Sequence, residues 1–90
     1  MNLGKVYTTP TVAELIQSEV SRDELFKALD NHQKEMFHLS PESKEANELA
    51  ISNNYGLVLS EIHVSGQKLW ISTQLAEHET YTTVMYPSEY

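Results

Sequence analysis

Four histidines, His32, His38, His63 and His78, have the widest chemical repertoire in this chain, and their spacing decides what they can do together. A zinc site built from local ligands needs a tight pair such as H-x-x-x-H. Separations of 6, 25 and 15 residues supply none. No metal is expected, and the four are read as polar surface or hairpin-face residues. Serine chemistry has an equally poor start. Ser60, Glu61 and His63 are neighbours in sequence, but a strand alternates its faces, so Ser60 points away from the other two. Ser65 is the one serine beside a glycine, and nothing resembles a G-x-S-x-G elbow. Gly4, Gly56 and Gly66 are too scattered to form a phosphate-cradling loop. No catalytic, cofactor-binding or metal-ligating residue is assigned, and the chain is expected not to be an enzyme.

The suggestive group is apolar. If residues 57–72 form a hairpin, Leu57, Leu59, His63 and Trp70 share one sheet face, with Met85 or Tyr86 added from a following strand. Trp and Tyr anchor protein interfaces, and a half-apolar sheet face needs a cover. Leu57, Leu59, His63, Trp70 and Tyr86 are therefore the candidate interface, for a protein partner or for a second copy in a homodimer. The competing reading covers this face with a loop or the N-terminal segment, or turns Trp70 inward.

The elements that must position these residues follow from composition and pattern. Ninety residues make one domain spanning 1–90, with 40% hydrophobic and 21% charged residues, near globular averages. Thirteen acidic residues against 6 basic give a net charge of −7, which disfavours a phosphate-binding surface and hence nucleic acid. An acidic inhibitor occupying a nucleic-acid-processing enzyme is the alternative function, although the carboxylates are spread from Glu14 to Glu89. The absence of cysteine excludes disulfides and fits a cytoplasmic setting. No signal peptide and no apolar stretch of membrane-spanning length is seen, so no membrane is expected.

Lys5–Thr9 reads as a short strand that adds to a sheet edge, stopped by Pro10. Thr9 and Pro10 then open a first helix with an apolar stripe of Val12, Leu15 and Ile16, ending near Glu19. Ser21-Arg22-Asp23-Glu24 has the form of a capping box and starts a second helix. Its expected buried face is Leu25, Phe26 and Leu29, continued by Gln33 and Met36, with Asp23–Lys27 and Asp30–Lys34 as surface pairs. Ser40-Pro41 opens a third helix whose shared face is Ala46, Leu49, Ala50 and Asn53. Asn54 or Gly56 closes it in the left-handed conformation.

From Leu57 the period becomes two. Reading Gly66-Gln67 as a II′ turn pairs Val64 with Leu69 and Ile62 with Ile71, and gathers Val58, Ile62, Val64, Leu69 and Ile71 on one face. The competing Ser65-Gly66 turn would instead oppose His63 to Lys68 and Glu61 to Trp70. Thr80–Tyr86 supplies a third strand, ended by Pro87. The expected fold class is α+β: three helices packed on one face of a three-stranded antiparallel meander, with the short N-terminal strand available to an edge.

Several segments also resemble a family of small plasmid-related proteins of plasmids and integrative elements, sometimes labelled type I restriction endonuclease subunit M. They are Val6-Tyr7-Thr8-Thr9-Pro10, Asn47-Glu48-Leu49-Ala50, Gly56 with Ser60, Lys68-Leu69-Trp70-Ile71-Ser72-Thr73, and the ending from Thr82 to Tyr90. The chain departs where relatives commonly read Gly-Asp-Trp-Gly-Asp-Leu and this one reads Met36-Phe37-His38-Leu39. It departs again where an Asp-Arg pair is replaced by Glu77-His78-Glu79. The resemblance implies a mobile-element context and no particular activity. The restriction label is not matched by residues, because the chain has neither a cofactor-binding glycine loop nor an Asn-Pro-Pro-Tyr-like motif.

Overall fold

The computed structural model describes residues 1–37 and 39–90, so the reading of His38 lies outside the described residues. In chain order the elements are β1 (Lys5–Thr8), α1 (Pro10–Leu15), α2 (Glu19–Gln33), α3 (Pro41–Asn53), β2 (Gly56–Val64), β3 (Gln67–Leu75), β4 (Tyr81–Met85) and a 3-10 turn (Pro87–Glu89). The α+β class and the three helices match expectation. The sheet does not quite match, because it has four strands in the order β1-β4-β3-β2 and is mixed, with β1 parallel to β4 beside the antiparallel β4-β3-β2 meander.

The parallel pairing follows from connectivity: β1 is separated from the other strands by the whole helical layer, a crossover long enough to return the chain in the same direction. Close backbone contact fixes it. Gly4 has φ +64 and lies so near Thr80 that a Cβ would overlap its carbonyl oxygen at 1.8 Å. The Thr82 hydroxyl donates to the Leu3 carbonyl at 2.7 Å.

Helix boundaries shift from those expected. α1 stops at Leu15, and the cap of α2 is Ser18, whose hydroxyl accepts from the Ser21 amide. The Ser21–Glu24 capping box is thus not formed. Ser21 is buried and bonds to Ser65, while the Glu24 carboxylate accepts from the Ser65 amide at 3.1 Å. The buried stripe of α2 is Ser21, Leu25 and His32, and Phe26 and Met36 are exposed, contrary to expectation. In α3 the buried positions are Asn47 and Ala50, while Ala46, Leu49 and Asn53 face solvent. The expected caps of α3 are present: Ser40 accepts from Ser43, and Asn54 has φ 52. Of the two helix-surface pairs, Asp30–Lys34 closes at 2.8 Å and Asp23–Lys27 does not.

The hairpin adopts the competing register. His63 opposes Lys68 and Glu61 opposes Trp70, around a Ser65-Gly66 turn in which both residues have positive φ (50 and 78). Positive φ at both central positions is the I′ requirement, and glycine at the second suits it. All three helices pack on one sheet face. Val12 and Leu25 meet Val64, Leu69, Ile71 and Val84, and a second cluster joins Phe37 and Ala50 to Val58 and Leu75.

Candidate functional site

The sheet face away from the helices carries Leu57, Leu59, Glu61 and His63 from β2 and Lys68, Trp70, Ser72 and Gln74 from β3. On β4, Tyr81, Thr83 and Met85 continue it. Of the sequence-derived candidates, Leu57, Leu59 and Trp70 are half-buried here and His63 is exposed. Tyr86 does not join them. It lies one residue past Met85, on the opposite face, and packs against the core beside Leu15 and Ile16. The indole is not under the helices, nor is it bare. The 3-10 turn folds back against β3, and the Tyr90 ring meets Trp70 edge-on at 5.6 Å. A second aromatic pair, Tyr7 with Tyr81 at 6.5 Å, sits at the β1–β4 side, with both rings exposed. No local signal in the sequence marks the β1–β4 pairing that brings Tyr7 or the returning turn that brings Tyr90, whereas Tyr81 follows from strand alternation once Met85, and not Tyr86, is placed on this face.

The turn that carries Tyr90 is tied down through Glu89. Its carboxylate accepts from Thr11 at 2.6 Å, Thr9 at 2.9 Å and the Tyr86 amide at 2.8 Å. These bonds, the Thr11 hydroxyl first, hold its carboxyl below the usual range. Thr9 therefore precedes α1 without capping it, its hydroxyl serving the far end of the chain.

On the helix side the chemistry sits at His32, which is buried rather than a surface histidine. Its Nδ1 contacts the Ser60 hydroxyl, and its Nε2 is 2.9 Å from the Thr73 hydroxyl. Thr73 lies 2.7 Å from Thr82. Since Thr82 donates to the Leu3 carbonyl, it must accept from Thr73, which must in turn accept from His32 Nε2. The proton is thus on Nε2, and Nδ1 accepts from Ser60. Burial pushes the imidazole down to about 4, so the ring is neutral near pH 7.

A serine donating to a histidine is the first half of a nucleophile–base pair, formed by Ser60 and His32 and not by Ser60 and His63. The second half differs. In a hydrolase triad a carboxylate steadies the imidazolium, whereas here the relay ends on two threonines and a carbonyl. A proton arriving on Nδ1 would be a buried charge with no counter-charge in the relay. The arrangement holds α2, β2, β3, β4 and the N-terminal segment together.

The relay's His32 and Ser60 also line the floor of a groove of about 460 Å³ between α2 and β2, together with Lys27, Ala28, Asn31, Met36, Glu61 and Ile62. A more polar groove of about 400 Å³ lies between the N-terminus and the Glu77–Glu79 loop. Among the described residues no group of three potential ligands could hold a metal ion. The outer edge of β2 is met by α3, where the Asn47 carboxamide donates to the Leu59 carbonyl at 2.7 Å and accepts from its amide at 3.0 Å. Comparison with family models, with curated proteins and with solved structures finds no match for this chain.

Proposed function

We propose that the chain is a non-enzymatic protein-binding module that pairs with a second copy of itself through the helix-free sheet face around Trp70. The carrying observation is the segregation of charge. Glu61 is the single carboxylate on the four strands, and it is paired with Lys68 at 3.4 Å, whereas the helices carry most of the acidic residues. Two such faces can approach without bringing the −7 charges of each copy together.

Size agrees. Strands of nine residues flanked by two more span roughly 30 Å by 15–20 Å, the scale of one side of a small homodimer interface. Aromatic rings at both ends of the face, Tyr7–Tyr81 and Trp70–Tyr90, provide anchors of the kind that dominate interface energetics. The neutral, counter-charge-free Ser60–His32 relay favours a module without catalysis. Its setting, by the resemblance to plasmid-related proteins, would be a mobile element. The acidic-inhibitor alternative draws no support from the helical layer, where Arg22, Lys27 and Lys44 interrupt the carboxylates.

Light scattering across a concentration series tests the reading. The wild type is expected to move from monomer to dimer mass, and Trp70→Ala and Leu59→Lys to stay monomeric with unchanged circular dichroism. A wild type that remains a monomer at the highest attainable concentration removes the proposal.

A further inference from the structure

We infer that the outer edge of β2 is a strand-addition site: an extended, basic peptide of a partner protein pairs with Glu61 and His63 while an apolar side chain enters the groove beside α2. This goes beyond the self-association proposed above and uses the backbone edge of β2, where that proposal uses the side chains of its helix-free face.

The edge is defined by topology. β2 ends the sheet, and its continuous antiparallel pairing with β3 makes alternate residues direct their N–H and C=O groups outward. Leu59 identifies which alternate set this is, because both of its backbone groups go to Asn47. Glu61 and His63 belong to the same set, and their outward groups have no partner among the described residues. The Asn47 carboxamide, one donor and one acceptor in a plane, has the bonding pattern of a peptide unit. It occupies one position of a row that a real strand would extend.

The groove fits the other requirement of strand addition, a pocket for every second side chain. Residues of an added strand that face the helix layer would lie over Ala28, Ile62 and Met36, of which Met36 is exposed in the chain alone. Lys27, Asn31 and Glu61 form the polar margin. The occupant is assigned as basic because the net charge of −7 steers cationic segments toward the molecule.

The test is an amide NMR titration of the full chain with the blocked peptide Lys-Thr-Val-Thr-Val-Thr-Lys, with its Glu-ended twin, and with a version N-methylated at its central residues. The expected result is shifts and slowed hydrogen exchange centred on Glu61 and His63, with at least tenfold weaker binding for the other two peptides. Ala28→Arg, which fills the groove, should lower affinity at least tenfold, and Trp70→Ala should leave it unchanged even if dimerisation is lost. The inference is overturned by equal binding of the N-methylated peptide, a control that needs no altered protein. Absence of shifts at millimolar peptide, or shifts confined to β1 or the Trp70 face, would also overturn it. So would protection of Glu61 and His63 on raising protein concentration alone, since the occupant would then be β2 of a second copy.

Discussion

At the scale of single residues, His32 sets the acid limit of the fold. Its ordinary value of 6.5 applies in the unfolded chain, and burial lowers it to about 4 in the folded one. Between these values the unfolded state binds a proton that the folded state does not. Stability is therefore fully present above pH 6.5 and is lost as pH falls toward 4, by about 1.4 kcal/mol per pH unit from this group. Urea denaturation across pH 4–7 checks this slope. His32→Leu should be less stable at pH 7 by roughly 1–3 kcal/mol, because Ser60 and Thr73 lose their partner, yet it should lack the slope. Glu89 acts in the same direction but lower. Its carboxyl is held below 4.5, so its contribution is present above that value and lost beneath it, and Glu89→Gln should leave the pH 4.5–6.5 region unchanged. Residue 32 was misread in the sequence because a histidine without a nearby ligand looks like surface. Its partners, Ser60 and Thr73, are 28 and 41 residues away.

At the scale of elements, the same kind of misreading rotated two helices. Hydrophobicity alone phases α2 on Leu25, Phe26 and Leu29 and phases α3 on Ala46, Leu49 and Ala50. The actual faces keep Leu25, Leu29 and Ala50 but leave out Phe26, Ala46 and Leu49 and take in Ser21, His32 and Asn47, polar residues that burial tolerates because each is bonded to the sheet or its hairpin. Helix existence, by contrast, was legible from Thr9-Pro10, Ser40-Pro41 and Asn54, whose effects are local. The hairpin register failed for a different reason. The two candidate turns differ by a two-residue slip in pairing, which leaves every side chain on the same face, so burial could not choose between them. Backbone chemistry chose, and it can be tested. At Gly66, φ is +78 and an added Cβ meets nothing within 4 Å among the described residues, so Gly66→Ala should cost about 1–2 kcal/mol from the dihedral alone. Gly4→Ala carries the same kind of dihedral strain and a backbone overlap, so it should cost more and release β1. Thermal melts of the two variants, with amide exchange at Val6 and Tyr7, separate the cases. Asn47→Ala should cost roughly 1–3 kcal/mol, since it strands both edge groups of Leu59.

At the scale of the whole molecule, the candidate interface was legible only as a set of strand positions. Alternation placed Leu57, Leu59, His63 and Trp70 together correctly. It could not supply Tyr7 and Tyr90, which arrive through a parallel pairing and a returning turn, and taking Tyr86 in place of Met85 shifted strand parity by one residue and hid Tyr81, which shares the Met85 face. The resulting molecule is two-sided, with helices carrying most of the carboxylates and a sheet face whose one carboxylate is already paired. That asymmetry makes the salt dependence of self-association diagnostic. Docking through the sheet face removes Trp70 from water while the acidic layers point outward, so the dimerisation constant should change little, within about threefold, between 20 and 300 mM salt. Docking through the helices would press like charges together and should strengthen steeply as salt screens them. Trp70 is the single tryptophan, so its emission reports directly which face is used. A blue shift with rising concentration, at low and at high salt alike, is the expected outcome. A concentration-dependent mass change with unaltered emission would place the contact on the helical side.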